Sequence, residues 1–164
     1  MHTVFLGIGS NINPEKNILK AAGMMSRICS FRAFSSHLIT PPLDNRNEQD
    51  YINAVWKIET DLCAADLKKE IRKIEYALGR RRSEDKYKAR EIDIDILVFD
   101  GKMMDDSITE RDFVYGPLKE IEPDFSGLDD SGLIADLKKF KGRYKLSGMK
   151  KGLEKEFLNG PEKS

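Results

Sequence analysis

Cysteine and histidine are scarce in this sequence of 164 residues. It contains two cysteines, Cys29 and Cys63, and two histidines, His2 and His37. Neither cysteine belongs to a CxxC motif, and there are too few ligands for a zinc site of ordinary spacing. The sequence therefore predicts neither a disulfide framework nor a zinc centre, and it favours a reducing, cytoplasmic compartment.

Long hydrophobic runs and an excess of one charge are missing as well. No apolar stretch approaches the roughly 20 residues that cross a bilayer, and the N-terminus lacks the regions of a signal peptide. Lysine and arginine together number 28, as do aspartate and glutamate, so the net charge is zero. Because no global field holds the chain on a polyanion, we expect neither a membrane nor a nucleic acid as partner.

Charge is nevertheless concentrated in three blocks. Residues 80–90 contain six bases and two acids, residues 91–130 thirteen acids and three bases, and residues 138–155 eight bases and one acid. Such blocks are usually a solvated face or a tail, which is our interpretation of the last block. At the first junction, cations adjoin carboxylates. This is typical of a magnesium-nucleotide site, since carboxylates hold the metal and cations neutralise phosphate.

Hydrophobic spacing predicts a mixed fold with one core. Residues 4–8, 29–38, 51–58 and 92–96 are predicted strands, residues 14–25 and 67–78 are predicted amphipathic helices, and a further helix is indicated around 149–158. The order βαββαβ with short central connections favours an α+β sandwich. We expect a ferredoxin-like architecture with an antiparallel sheet and a C-terminal extension.

Asp93 and Asp95 alternate with isoleucines on the last of these strands. Residues two apart point to one face, with their Cα atoms roughly 6.7 Å apart. Two such carboxylates can hold one or two magnesium ions, with phosphate oxygens and water completing the shell. The alternative is that Glu91, Asp93 and Asp95 are the wet face of a half-buried strand. Repulsion among three neighbouring acids favours a bound cation.

Three further groups of residues each allow two interpretations. The Gly7–Asn11 turn suggests a phosphate loop, but no nucleotide-binding motif is completed, so a tight strand-to-helix turn is favoured. Arg80 and Arg82 follow a predicted helix end, where they either complement the helix dipole or clamp phosphate. Tyr51 and Phe113 are either core residues or the walls of a slot that stacks a flat heterocycle.

Six blocks of residues occur in a fixed order along the chain. They are Gly9-Ser10-Asn11, Thr40-Pro41-Pro42-Leu43, Asp50-Tyr51-Ile52-Asn53-Ala54, Ile74-Glu75 with Gly79-Arg80-Arg81-Arg82, Arg90-Glu91-Ile92-Asp93-Ile94-Asp95-Ile96, and Arg111-Asp112-Phe113-Val114 with Pro117-Leu118. In this combination the chain resembles the 6-hydroxymethyl-7,8-dihydropterin pyrophosphokinases of the folate pathway, from about residue 3 to residue 125. The resemblance assigns residues 1–125 to a pyrophosphokinase-like domain and residues 126–164 to its C-terminal part and a basic tail.

The resemblance implies an ATP-dependent diphosphotransferase, expected to act as a monomer. Such an enzyme moves the β,γ-diphosphate of ATP onto the hydroxymethyl group of the pterin and releases AMP. The implied ligands of two Mg²⁺ ions are Asp93 and Asp95, which with Arg80, Arg82 and Arg90 form the implied catalytic set. The implied contacts of the nucleotide are Glu75, Arg80, Arg82, Arg90 and Arg111. The implied contacts of the pterin are Thr40, Pro41, Leu43, Tyr51, Asn53 and Phe113.

Two segments depart from the family pattern. Residues 107–110 lead directly into Arg111, where the family usually has a loop whose histidine contacts ATP. Before Arg90 the chain has Tyr87-Lys88-Ala89, where many members have Trp-Gly-Pro. Lys86 and Lys88 can supply replacement charge, but lysine lacks the planar fork of arginine.

The departures leave two alternatives to the enzyme. One is a nucleotide- or pterin-binding relative with weak or no catalysis. The other is a ferredoxin-like RNA-binding module, which the two basic blocks suggest. The acidic residues between 91 and 130 disfavour this module, because they would repel a phosphate backbone.

Overall fold

A computed structural model describes residues 1–42, 49–81, 89–125 and 143–158 of the chain. The elements in this part of the chain are β1 His2–Ser10, α1 Pro14–Met25, β2 Ser30–Phe34, β3 His37–Thr40, β4 Tyr51–Thr60, α2 Ala64–Ala77, β5 Asp93–Phe99, β6 Lys102–Met103, α3 Asp112–Ile121, β7 Lys145–Ser147 and α4 Met149–Phe157. A short 3₁₀ turn, Asp106–Glu110, precedes α3. None of the described helices is long and apolar enough to cross a membrane.

The strands form one antiparallel sheet in the order β6-β5-β1-β4-β3-β7, and β2 also pairs with β4. This arrangement confirms the predicted α+β, ferredoxin-like fold. The predicted helices and the strands at 4–8, 51–58 and 92–96 are confirmed. Gly79 ends α2 in a left-handed conformation, with φ of 107°, as its position after the apolar stripe indicates.

Apolar side chains cover both faces of the sheet. On the first face, alternate residues of β1 and β4 such as Leu6 and Trp56 pack with α1, α2 and α4. On the second face, Phe5 and Val55 pack with Leu97 and with residues of α3. Alternate residues of a strand thus belong to two different cores, because helices cover both faces of the sheet.

The predicted strand at 29–38 is two strands, β2 and β3, that share β4 as a neighbour. Ser35 lies at the break. Its N–H donates to the Val55 carbonyl at 2.9 Å, and its hydroxyl accepts from the Val55 N–H at 2.8 Å. Because this hydroxyl replaces a backbone acceptor of the ladder, the chain changes direction without leaving β4.

The C-terminal part of the chain joins the fold at two places. β7 pairs with β3, and the predicted helix at 149–158 is confirmed as α4. Leu153 of α4 is buried in the first core. The last basic block is therefore not a tail over residues 145–157, whose backbone forms β7 and α4. Its other interpretation, a solvated face, agrees with the exposed side chains of Lys145, Lys151 and Lys155.

Candidate active site

The floor of the candidate site is formed by three neighbouring strands on the second face of the sheet. Gly9 of β1 pairs with Asn53 of β4 on one side and with Asp93 of β5 on the other. Paired residues of antiparallel strands point to the same face. A Cβ atom on Gly9 would lie 2.9 Å from Asn53 Oδ1, so the missing side chain makes room for the asparagine amide.

A cavity of about 100 Å³, which we call the aromatic cavity, opens above this floor. Tyr51 stands at the start of β4 and Phe113 in the first turn of α3. The cavity is lined by Gly9, Thr40, Pro41, Pro42, Tyr51, Asn53, Arg90, Asp93, Arg111 and Phe113. Five of the six residues that the resemblance assigns to the pterin thus line one cavity, and the sixth, Leu43, lies outside the described residues.

Asn53 is held in one orientation within the aromatic cavity. Its Nδ2 donates to Thr40 Oγ1 at 2.8 Å. Since Thr40 is buried at the end of β3, the amide has a fixed anchor. An amide fixed in this way presents one defined pattern of donors and acceptors to a heterocycle.

A cluster of carboxylates and arginines lies beside the aromatic cavity. Arg80 Nη1 contacts Glu75 Oε2 at 2.5 Å and Asp93 Oδ1 at 2.7 Å, and Arg90 Nη1 contacts Asp93 Oδ2 at 3.0 Å. Glu75 also accepts the Ile94 N–H at 2.9 Å. Burial raises the pKa of Glu75 in spite of these partners.

A second cavity of about 550 Å³, which we call the polar cavity, lies on the other side of this cluster. It is lined by Lys68, Ile71, Arg72, Glu75, Tyr76, Arg80, Arg81, Asp93, Ile94 and Asp95. Asp93 lines both cavities. A ligand in each cavity would therefore meet its neighbour at this carboxylate.

Asp95 has an unusual environment for a carboxylate. Asp95 is exposed and lines the polar cavity, yet partial desolvation by nearby protein atoms and, after it, the charge of the neighbouring Asp93 raise the pKa of Asp95 to about 7. A neighbouring negative charge disfavours the ionised form of a carboxyl group. A bound cation would relieve the repulsion, so the donor set fits a divalent metal.

Magnesium would have to draw its remaining ligands from elsewhere. Among the residues that the structure describes, no group of three or more His, Cys, Asp or Glu is arranged to hold a metal ion. Two carboxylates match the usual protein share of a magnesium shell, because the ion keeps several waters and takes substrate phosphate oxygens as further ligands. Asp93 and Asp95 are the residues that would hold it.

Arg111 directly precedes α3, and its side chain lines the aromatic cavity. Residues at the 3₁₀ turn anchor its guanidinium group. Its Nη2 donates to Ser107 Oγ at 2.6 Å and to Asp105 Oδ2 at 3.1 Å. Burial alone would raise the pKa of Asp105, but the bonds from Ser107 and the charge of Arg111 lower it overall. Arg111 Nε is buried and has no hydrogen-bond partner within the described ranges.

Two side chains that hold the backbone of Arg90 and Glu91 in place were not predicted as site residues. Arg90 N–H donates to Asn11 Oδ1 at 2.8 Å, and Ser10 Oγ donates to the Glu91 carbonyl at 2.6 Å. The favoured interpretation of Gly7–Asn11 as a tight turn is wrong for residues 7–10, which belong to β1 and pair with β4. Asn11 follows the strand and binds the Arg90 backbone. The available signal was two polar residues at the end of a buried strand. Arg82, Lys86 and Lys88 lie outside the described residues.

The fold and the site together define a class of protein. An aromatic cavity that meets a cluster of carboxylates and arginines is suited to phosphoryl transfer, which needs positioning and charge neutralisation more than a protein nucleophile. Residues 5–123 match the family of 7,8-dihydro-6-hydroxymethylpterin-pyrophosphokinases. The chain belongs to this family.

Individual relatives agree with the family match. The chain is 31% identical to a 2-amino-4-hydroxy-6-hydroxymethyldihydropteridine pyrophosphokinase of Haemophilus influenzae over 89% of this chain and 97% of that protein. It is 34% identical to the enzyme of the same name from Methylorubrum extorquens over 76% of this chain and 85% of that protein. It is also 34% identical to a folic acid synthesis protein of Dictyostelium discoideum over 74% of this chain and 20% of that longer protein. The resemblance inferred from the six blocks is confirmed.

Proposed function

We propose that this protein transfers the diphosphate of ATP to the hydroxymethyl group of 6-hydroxymethyl-7,8-dihydropterin and releases AMP, as a step of folate biosynthesis. The observation that carries this proposal is the position of Asp93, which lines both the aromatic and the polar cavity. A flat heterocycle in the first cavity and a triphosphate in the second would bring acceptor and donor together at this residue.

On the pterin side, Tyr51 and Phe113 supply the aromatic faces between which the bicyclic ring stacks. Asn53, held by Thr40, supplies oriented amide atoms for the edge of the ring. Pro41, with Leu43 beyond the described residues, completes the proposed set of pterin contacts.

On the nucleotide side, the proposed contacts of ATP are Glu75, Arg80, Arg82, Arg90 and Arg111. Arginine suits this role because its planar fork matches pairs of phosphate oxygens. Two magnesium ions, held by Asp93 and Asp95, would shield the charge of the triphosphate when bound. Binding of ATP would redirect Arg80 and Arg90, which contact Asp93 in the free protein.

The reaction requires no covalent intermediate on the protein. The hydroxymethyl oxygen attacks the β-phosphorus, the bond from that phosphorus to the oxygen on the α-phosphorus breaks, and the hydroxyl proton is released. AMP leaves with the bridging oxygen, while the bond between the β- and γ-phosphates stays intact. Arg80, Arg82 and Arg90 would stabilise the charge that develops on the transferred group.

The absent histidine loop does not leave Arg111 without support. The chain reaches Arg111 through the 3₁₀ turn, in which Asp105 and Ser107 bind its guanidinium. A positioned cation therefore remains available to phosphate oxygens at this edge of the aromatic cavity. We also propose that the protein acts as a cytoplasmic monomer, in which Cys29 and Cys63 remain free thiols, as they are in the structure.

Incubation with ATP, Mg²⁺ and the hydroxymethyl-dihydropterin, assayed for AMP, tests the proposal. The wild-type protein should release AMP only when the pterin is present. Asp95→Ala should abolish AMP formation and leave the fold intact, whereas Asp66→Ala, an exposed aspartate of α2, should leave turnover unchanged. Full turnover by Asp95→Ala at saturating magnesium would contradict the assigned role. Calorimetric binding of both ligands without turnover would favour the binding-only relative.

A further inference from the structure

Residues 143–147, which we call the C-terminal brace, contact both walls of the aromatic cavity. On one side, β7 pairs with β3 through Lys145 opposite Ile39 and Leu146 opposite Leu38. β3 ends at Thr40, which lines the cavity and anchors Asn53. The brace therefore supports the strand that forms the first wall.

On the other side, the brace holds the start of α3. Tyr144 Oη donates to Asp112 Oδ1 at 2.7 Å, and Arg143 Nη1 contacts Asp112 Oδ2 at 2.6 Å. Both carboxylate oxygens of Asp112 are thus engaged. Asp112 is the first residue of α3 and lies directly between Arg111 and Phe113, which both line the cavity.

We propose that Arg143 and Tyr144 are positioning residues for pterin binding, because they hold Asp112 and thereby fix the Phe113 ring against the wall formed by β3. This inference rests on the proposed function. The first turn of a helix frays unless other contacts hold it. Phe113 lies in the first turn of α3, so its position depends on such contacts. A shift of the Phe113 ring would loosen the stack on a bicyclic ligand without removing any residue that touches it.

The brace acts on position more than on stability. The Arg143 side chain is 65% exposed, and such surface ion pairs contribute little to folding. α3 has further attachments, since Leu118 is buried in the second core and Glu120 contacts Lys150 at 3.3 Å. The loss of the Asp112 contacts should therefore leave α3 in place with a less ordered first turn.

A double variant, Arg143→Met with Tyr144→Phe, tests the proposal in the full chain. The dissociation constant of the dihydropterin, measured by fluorescence titration, and its KM at saturating ATP should rise about 3- to 10-fold. The KM of ATP should change by less than about twofold, because Arg111 keeps its own anchors on Asp105 and Ser107. Arg32→Met is the matched control, since it removes an exposed contact to Glu59 on β4 and should leave both constants unchanged.

Failure of the positioning role can be told apart from failure of the proposed function. An unchanged dissociation constant of the pterin would overturn the positioning role of the brace. An equal rise in the constants for pterin and ATP would overturn it as well, because a merely structural role would produce that result. If the double variant does not fold, Tyr144→Phe alone removes the hydrogen bond to Asp112, and it should raise the dissociation constant of the pterin about 2- to 3-fold. A wild-type protein that neither binds the pterin nor releases AMP overturns the proposed function and the brace together.

Discussion

At the residue scale, Gly9 controls the space in which the Asn53 amide lies. A Cβ atom at position 9 would stand 2.9 Å from Asn53 Oδ1. The Asn53 amide can move away only by breaking the hydrogen bond from its Nδ2 to Thr40. Gly9→Ala should therefore displace the amide and weaken pterin binding by about tenfold, as measured by the dissociation constant, while the protein remains folded.

Gly7→Ala is the matched control on the same strand and the same face. The Cβ atom it adds would meet side-chain carbons of Leu97 at 3.2 to 3.4 Å, and the end of a leucine can shift by this amount. We expect an unchanged pterin dissociation constant and a change in unfolding free energy within about 1 kcal/mol. Equal loss of affinity in the two variants would contradict the steric role of Gly9.

Local patterns predicted which side chains share a face, but not their distant partners. The two-residue period placed Tyr51 with Asn53 and Asp93 with Asp95 on common faces, and the cavities contain these pairs. The bond between Arg90 and Asn11 joins residues 79 positions apart, which no local spacing encodes. The partners of Asp93 were missed for a related reason, because a period fixes the direction of a side chain and not the reach of an arginine.

At the scale of elements, the break between β2 and β3 buries a neutral histidine. His37 Nδ1 donates to the Ser35 carbonyl at 3.0 Å, and Trp56 Nε1 donates to His37 Nε2 at 3.2 Å. Because an indole N–H can only donate, Nε2 must be an unprotonated acceptor. Burial lowers the pKa of His37 to about 4, against an opposing effect of the Ser35 carbonyl and Glu120 and with a smaller supporting effect of Lys150.

This lowered pKa makes the unfolding free energy depend on pH. Below pH 6.5, His37 becomes protonated in the unfolded chain but stays neutral in the native state until the pH approaches 4. The contribution of His37 to stability is therefore complete above the unfolded pKa and is lost as the pH falls toward 4. A shift of this size corresponds to about 3 kcal/mol. Urea unfolding at about pH 7.5 and about pH 4.5 should show a smaller loss of stability in His37→Gln than in the wild type.

The comparison of variants is needed because other groups titrate in the same range. Asp95 has a raised pKa, so its contribution to stability has the opposite sign and is lost as the pH rises through about 7. This contribution is common to all variants and cancels in their difference. A pH dependence in His37→Gln equal to that of the wild type would show that the buried imidazole does not control it.

Long elements were predictable because they repeat a pattern, whereas the shortest were not. The stripe of Leu67, Ile71 and Ile74 predicted α2, and all three side chains are buried. β7 has only three residues, and Lys145 and Leu146 are exposed, so no periodic signal marks it. It is a strand because the free edge of β3 offers hydrogen bonds to the returning chain.

At the scale of the whole molecule, the first strand and the last described helix pack in one core. Leu153 of α4 is 1% exposed and packs in the cluster that contains Val4 and Leu6 of β1. The Phe157 ring lies 5.3 Å from that of Phe31, measured between centroids. Residues that follow the family match therefore complete the first face of the sheet, and their loss would expose apolar surface of β1, β2 and β4.

Because α4 shares this core, it should unfold in one cooperative transition with the sheet. Leu153→Ala leaves a cavity among buried side chains and should lower the unfolding free energy by about 2 to 4 kcal/mol. Leu146→Ala, at a leucine that is 61% exposed on β7, should change it by less than about 0.5 kcal/mol. Urea unfolding followed by Trp56 fluorescence and by circular dichroism should give one coincident transition in each variant. If α4 were only appended to the fold, Leu153→Ala would lose helical signal early and leave the Trp56 transition unmoved, because the cavity would then form outside the cooperative unit.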